Sequence, residues 1–181
     1  MAIIITKEQV AKTKNVNHFI KQNKKRLVGS SVFTRNDSFL SKVIQQKTKW
    51  QSKQNDFIPS HVGQIVSIGD CIYVFDMKPP RARLTLLESF LTQTTDDYVL
   101  VLREFNLDTC PYCEYVLKHN GKTYPYLSGF QCAFRVLKYI PNIGEHCSEI
   151  GCKALQNQGL LLDMVADNTS PIMLYDRLIT M

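Results

Sequence analysis

Two short β-rich runs on either side of a glycine turn constrain the fold of this chain more than any other feature. His61–Ser67 and Cys71–Met77 are rich in Val, Ile and aromatic residues, and Ile68-Gly69-Asp70 stands between them. Runs of this length around a short glycine turn predict a β-hairpin. A further strand is predicted at Tyr98–Phe105, which is rich in Val and Leu. The chain is therefore expected to contain an antiparallel sheet.

Helical periodicity occurs on both sides of the predicted hairpin. Apolar residues recur at helical spacing after Asp37, which is suited to an N-cap, and again in Gly129–Ile140. Leu84–Leu91 is predicted to be a short helix. Cys147–Gln158 is predicted to be another, and it is followed by Gly159, where glycine is a common C-cap. Strands and helices in this order predict the α+β class.

The N-terminal third differs from the rest in charge. Residues 1–56 contain twelve Lys and Arg against three Asp and Glu, while residues 57–181 contain ten against thirteen. Residues 1–26 are predicted to form a basic, polar extension, and residues 27–181 a single domain. A basic segment suggests contact with a polyanion. A solvated lysine face is the alternative, because the aromatic interleaving and motifs of nucleic-acid-binding sites are missing.

Composition limits where the protein is expected to act. The 181 residues, 44% of them hydrophobic, have the length and composition of one globular domain. No apolar run approaches the ~20 residues that span a bilayer, and a secretory signal pattern is missing. We expect a protein that is cytoplasmic as made, with a phage virion or release by lysis as other settings. Its six cysteines are then expected to be thiols, and they are Cys71, Cys110, Cys113, Cys132, Cys147 and Cys152.

Cys147 is the strongest candidate nucleophile because it opens a predicted helix, where the helix dipole favours a thiolate. A cysteine that only packs is the alternative. A nucleophile also needs a base, and His61, at the start of the hairpin, is the best-placed histidine. His146 precedes Cys147, but neighbouring side chains at a helix start project about 100° apart, so these two are not expected to face each other.

The register of the hairpin tests Asp76 as the partner of His61. A two-residue turn at Ile68-Gly69 places Asp76 directly opposite His61, and one at Gly69-Asp70 places it on the diagonal, so both turns put the pair on one face. A three-residue turn sends Asp76 to the opposite face. An ordinary surface His–Asp pair would show the same spacing.

Several segments, in order, resemble the permuted papain-like cysteine hydrolases. This is the circularly permuted NlpC-type group that includes YiiX-like bacterial proteins and lecithin-retinol-acyltransferase-like enzymes. The segments are Gly29–Arg35, Phe39–Ile44, Ser60–Val66, Gly121–Tyr126 and Cys147–Glu149 followed by Gly159. The resemblance implies a circularly permuted papain-like fold, with an antiparallel sheet and a nucleophile-bearing helix near the C-terminus.

The resemblance also implies a role for each candidate residue. Cys147 matches the nucleophile, His61 the general base, and Asp76 the third polar position, where many members have glutamate or histidine. Tyr175 lies where some members place an active-site tyrosine. The implied reaction is amide hydrolysis through an acyl-enzyme, with peptidoglycan peptides as the leading substrate and lipid esters or acyl transfer second. No cofactor or metal is implied.

Three other functions remain open in the sequence. Cys110-Pro111-Tyr112-Cys113 resembles the dithiol of a glutaredoxin-like thiol oxidoreductase, although the following residues lack the strands of that fold. The same pair could bind a metal, although a second ligand pair with zinc spacing is not evident. The further ligands would come from His119, Cys132, Cys147 and Cys152. A non-enzymatic binding or virion structural protein on the same fold is the third alternative.

Overall fold

The computed structural model describes residues 2–13, 15–51, 57–125 and 144–181, and in them the α+β class is confirmed. The strands are β1 (Ile3–Thr6), β2 (Ser31–Arg35), β3 (His61–Ile68), β4 (Cys71–Lys78), β5 (Arg81–Leu86) and β6 (Asp97–Leu102). The α-helices are α1 (Lys7–Ala11), α2 (Val16–Leu27), α3 (Phe39–Thr48), α4 (Leu87–Gln93), α5 (Thr109–Leu117), α6 (Cys147–Gln156) and α7 (Pro171–Ile179). Short 3-10 turns occupy Lys49–Gln51 and Ala166–Asn168. The predicted helix at Gly129–Ile140 lies outside the described residues.

The strands form one sheet in the order β1-β6-β2-β3-β4-β5, and every neighbouring pair is antiparallel. The predicted hairpin is β3–β4. Ile68 pairs with Cys71, so the turn is the two-residue turn Gly69-Asp70, and Gly69 has a φ of 58°. Glycine adopts this left-handed conformation without steric cost. The register continues to Gly63 opposite Asp76, which leaves His61 on the diagonal.

The predicted elements around β5 and β6 differ from the structure in type or length. Leu84–Leu91 is a helix only from Leu87, because Arg81–Leu86 pairs with β4 and extends the hairpin to a three-stranded meander. Pairing satisfies backbone groups that the edge of β4 would otherwise expose, and this overrides the local apolar spacing. The strand predicted at Tyr98–Phe105 is Asp97–Leu102. The N-cap of α3 is Ser38 rather than Asp37.

The N-terminal residues are part of the domain rather than a separate polar extension. Strand β1 pairs with β6 from Ile3 opposite Leu102 to Thr6 opposite Val99. Val10 of α1 is buried, and so is Phe19 of α2. The predicted boundary at residue 26 therefore has no matching break in the packing. The run of three isoleucines favours a strand, and its pairing with β6 satisfies its backbone N–H and C=O groups inside the sheet.

Helices cover both faces of the sheet. Phe33 of β2 points to the face that carries α7, where its ring lies 5.1 Å from the Tyr175 ring. Tyr98 is opposite Thr34, one residue further along β2, so it points to the other face. There its ring lies 6.0 Å from the Phe90 ring of α4. The sheet is thus a buried middle layer, which explains its apolar strands.

Candidate active site

Helix α6 begins at Cys147 because the residues around it form a capping box. The His146 side chain accepts a hydrogen bond from the Glu149 backbone N–H, and the Glu149 carboxylate accepts one from the His146 N–H. Each bond satisfies a donor that a helix start leaves open. The helix ends at Gln156, and Gly159 follows with a φ of 76°. The predicted helix is confirmed, two residues shorter at its end.

A glycine allows α6 to lie against the strand that carries His61. A Cβ atom at Gly151 would stand 2.3 Å from Nε2 of Gln64 in β3. The Gln64 Oε1 atom accepts hydrogen bonds from Ser31 (3.1 Å) and Tyr112 of α5 (2.8 Å). The Gln64 amide thus connects β2, β3 and α5 beside α6. A larger residue at 151 would force either the Gln64 amide or α6 to shift.

His61 and Asp76 are in contact across the hairpin, as the register predicts. The His61 Nε2 atom contacts Oδ1 of Asp76, and both side chains are buried. The second carboxylate oxygen lies 3.7 Å from Lys78 Nζ and 3.6 Å from Arg83. Burial raises the pKa of Asp76, but His61, Lys78 and Arg83 together lower it to about 2. Asp76 is therefore an anion at any physiological pH.

Cys147 and His61 interact directly, although 86 positions separate them in the sequence. Burial by itself lowers the pKa of His61, but the negative charges of Cys147 and Asp76, with hydrogen bonds to both, raise it to about 9. Burial raises the pKa of Cys147, and His61 and His146 reverse this and hold that pKa well below the usual thiol value. Since Asp76 contacts Nε2, the other ring nitrogen of His61 is the one left for the thiol. Both shifts favour the thiolate and imidazolium forms of this pair.

His146 also belongs to the surroundings of the Cys147 thiol, and the sequence analysis did not predict this. Its imidazole lies beside Cys147 and lowers the pKa of the thiol. The expectation that the two side chains do not face each other assumed helical geometry at both positions. His146 is an extended N-cap residue, with φ −86° and ψ 177°, so the helical rotation does not apply to it. A polar residue three positions before Glu149 was the available signal, since that spacing is typical of a capping box.

An ion-pair cluster fixes the segment on either side of Cys147. Lys153 lies 3.1 Å from Glu145, 2.6 Å from Glu149 and 3.0 Å from Asp167. Glu145 also contacts His119, whose hydrogen bond is the main reason that the pKa of this carboxyl is lowered to about 2. Glu145 precedes the N-cap residue, and Lys153 lies in the second turn of α6. The cluster therefore holds the start of α6 against α5, which ends beside His119.

Tyr175, the remaining residue implied by the resemblance, lies in α7. Its ring packs against Phe33 at 5.1 Å and Phe57 at 6.0 Å. The side chain is 6% exposed. Through these contacts Tyr175 packs in the apolar layer between the sheet and α7.

The two cysteines of the predicted dithiol differ in environment. Both are free thiols; Cys110 is exposed and Cys113 is buried. Cys110 Sγ lies 3.7 Å from the Glu114 carboxylate, which raises the pKa of Cys110. An exposed thiol with a raised pKa is a poor attacking group for thiol–disulfide exchange. Within the described ranges, no three His, Cys, Asp or Glu side chains are grouped as a metal site, and Cys132 lies outside those ranges.

Comparison with protein-family models, with curated proteins and with solved structures finds no match to this chain. Of the helices α1 to α7 in the described ranges, none combines the length and the apolar character needed to cross a membrane.

Proposed function

We propose that the protein is a cysteine hydrolase that cleaves an amide bond, with Cys147 as nucleophile, His61 as acid and base, and Asp76 as the residue that orients His61. One observation carries this proposal: a buried thiol at a helix start contacts an imidazole that a buried carboxylate holds from its other side. A cysteine that only packs needs neither partner.

The first half of the reaction forms an acyl-enzyme. The Cys147 thiolate attacks the carbonyl carbon, a C–S bond forms, and the carbonyl oxygen becomes an oxyanion. The oxyanion then collapses, the C–N bond breaks, and the His61 imidazolium gives its proton to the leaving nitrogen. The products of this step are a free amine, a thioester on Cys147 and a neutral His61.

The second half restores the enzyme. A water molecule attacks the thioester carbon while neutral His61 accepts a proton from it. The C–S bond breaks, and the thiolate and imidazolium pair is re-formed together with a carboxylic acid. Asp76, anionic throughout, stabilises the imidazolium and fixes the orientation of the ring.

The start of α6 can also stabilise the oxyanion. The first N–H groups of a helix have no acceptor within the helix, and they point toward an anion placed at its N-terminus. His146 accepts the N–H of Glu149, and we propose the amide of the nucleophile itself, Cys147, as a donor to the oxyanion. The ring of His146 also lowers the pKa of the Cys147 thiol and so favours the thiolate.

The proposed substrate class is the peptide part of peptidoglycan, and it rests on the resemblance of the Ser60–Val66 and Cys147–Glu149 segments. Lipid esters or acyl transfer, which the same resemblance implies, use the same nucleophile and the same acyl-enzyme. The proposed mechanism is therefore the same for each substrate class, and the assay described below distinguishes between them.

The first experiment measures the Cys147 thiolate. Folded protein is treated briefly with iodoacetamide at pH 6, and the modified cysteines are identified by mass spectrometry. We expect Cys147 to be alkylated before the more exposed Cys110, because only a thiolate reacts rapidly. The opposite order would contradict the proposed ion pair.

The second experiment measures hydrolysis. Peptidoglycan stem peptides and short-chain acyl esters are incubated with the wild type, with Cys147→Ala and with Cys110→Ser as the matched control. We expect cleavage by the wild type and the control, and none by Cys147→Ala. A reactive Cys147 with no cleavage of any substrate would favour the non-enzymatic alternative.

A further inference from the structure

Phe39 and Trp50 are the two most exposed large apolar side chains among the described residues, at 85% and 83%. They lie at the two ends of α3 and the 3-10 turn that continues it. They are eleven positions apart, close to three helical turns, so both are expected to lie on one side of this segment. Single exposed apolar residues are ordinary on protein surfaces, but two large aromatic ones on one helix face mark a contact surface.

The opposite side of α3 is firmly attached to the domain. Ser41, Ile44 and Thr48 are buried at helical spacing. The Ser41 hydroxyl lies 2.6 Å from the Ser60 hydroxyl, beside His61, and Ser170 at the start of α7 donates to Gln51 at 2.6 Å. Both ends of the segment are thus fixed by buried or half-buried hydrogen bonds. The exposure of Phe39 and Trp50 is a property of a packed helix rather than of a loose one.

The same segment is basic. Lys42, Lys47 and Lys49 are exposed, and the sequence from 38 to 55 contains no acidic residue. Asp37, just before this segment, lies 3.4 Å from Lys42. Lysines beside an aromatic face complement a surface that is anionic outside and apolar beneath. We call Phe39, Lys42, Lys49 and Trp50 the α3 face.

We propose that the α3 face binds an anionic lipid surface. Trp and Phe are side chains that settle at the headgroup level of a bilayer, and lysines on a helix attract anionic headgroups. The spacing of the rings favours lipid over nucleic acid. Over three helical turns the rings stand about 16 Å apart, whereas stacking on successive bases requires aromatic side chains close together. A flat lipid surface accepts both rings at once.

Trp50 makes the test direct because it is the single tryptophan of the chain. The full-length protein is titrated with phosphatidylcholine vesicles that contain or lack one quarter phosphatidylglycerol. With the anionic vesicles we expect a blue shift of tryptophan emission, quenching by brominated acyl chains, and weaker binding at high salt. Unchanged emission with both vesicles would overturn the proposal.

Matched variants locate the contact. Phe39→Ser should weaken binding about tenfold, since a Phe side chain leaves the interface, while Leu162→Ser, at 72% exposure outside α3, should leave it unchanged. Lys42→Gln with Lys49→Gln should weaken binding more than Lys12→Gln with Lys122→Gln, which removes the same charge from other exposed positions. Equal loss with the two lysine pairs would mean general charge attraction and would overturn the assignment to α3.

Two further results would replace the lipid by another partner. A blue shift that grows with protein concentration in the absence of vesicles would show that a second copy covers the α3 face. Quenching of Trp50 by single-stranded oligonucleotides without any response to vesicles would show a nucleic-acid surface. Each readout is independent of hydrolysis, so the result stands whether or not the proposed activity is found.

Discussion

Two cysteines stand at the beginning of a helix in this protein, and their thiols have opposite properties. Cys110 is the second residue of the nine-residue helix α5, and Cys147 is the first residue of the ten-residue helix α6. Both helices have a side-chain N-cap, Asp108 in α5 and His146 in α6. Yet the pKa of Cys110 is raised, while that of Cys147 is held well below its usual value.

The difference lies in the neighbours, since the helix dipole acts on both thiols. A helix end contributes typically 0.3–1 kcal/mol, whereas an opposite charge at about 4–6 Å can shift a pKa by roughly 1–3 units. Cys110 faces the Glu114 carboxylate, one turn further along α5. Cys147 faces His61 and His146, and the acidic side chain in its own first turn, Glu149, is bound by Lys153. Position at a helix start is therefore insufficient to make a thiolate, and the partner decides.

The largest effect is expected when His61, the main partner of the Cys147 thiol, is removed. In His61→Ala we expect Cys147 to lose its rapid alkylation at pH 6, because the imidazolium no longer balances the thiolate charge. Hydrolysis should fall by about 10³- to 10⁶-fold, the range found when a base that acts together with a nucleophile is removed. Rates are measured with iodoacetamide and with the cleaved peptide. His18→Ala, an exposed histidine in α2, is the control and should match the wild type.

The second test keeps the imidazole and changes what orients it. In Asp76→Asn the fold should be retained, since the amide has the same shape, but turnover should fall by about 10²-fold or more because an amide can hold the wrong tautomer of His61. Circular dichroism checks the fold, and turnover of the peptide substrate checks the effect. A wild-type rate would reduce the proposed machinery to Cys147 and His61.

The third test measures turnover as a function of pH, and the protonation of His61 determines whether turnover rises or falls. Its pKa of about 9 means that the imidazolium is present below that pH and is lost above it. The leaving amine then has no acid, so turnover should fall about tenfold per pH unit above 9. Asp76, with a pKa of about 2, does not contribute to the profile at higher pH. A rate that stays constant from pH 8 to 11 would exclude His61 as the acid.

Much of the candidate site could be predicted because it depends on short-range geometry. The turn at Gly69-Asp70 has two residues, and both two-residue turns considered from the sequence put His61 and Asp76 on the same face. The start of α6 at Cys147 follows from local capping and periodicity. These features require only residues that are close in sequence, and the pattern of those residues specifies them.

The parts that sequence reasoning missed depend on contacts between distant segments. Pairing of β1 with β6 joins residues 3–6 to residues 99–102. Nothing in the polar composition of residues 1–26 indicates which strand they would complete. The fit of Gly151 to the Gln64 amide likewise requires the packed helix and sheet. His146 was missed for a different reason, since a helical rule was applied to a residue outside the helix.

The fourth test separates the two functions of His146. Asn is also a good N-cap residue, so His146→Asn should preserve α6 while removing the imidazole from Cys147. We expect the pKa of Cys147 to rise and alkylation at pH 6 to slow by roughly three- to tenfold, the effect of losing one interaction of about 1 kcal/mol. His146→Ala removes the cap as well and should cost about 1 kcal/mol of stability in addition. Equal alkylation rates in wild type and His146→Asn would limit His146 to capping.

The smallest effect is expected at Cys110, the less reactive of the two thiols. Glu114→Gln keeps the size of the side chain and removes the negative charge that is the main cause of the raised pKa of Cys110. Both groups are exposed, so solvent screens the interaction, and we expect alkylation of Cys110 at pH 7 to increase by only about two- to fivefold. Mass spectrometry of the modified peptide measures the rate, with Glu8→Gln as a remote control. Hydrolysis and the reactivity of Cys147 should stay unchanged, because no imidazole faces Cys110 within the described part of the chain. If Glu114→Gln instead made Cys110 as reactive as Cys147, the helix start alone would be enough to form a thiolate, and the proposed roles of His61 and His146 would have to be abandoned.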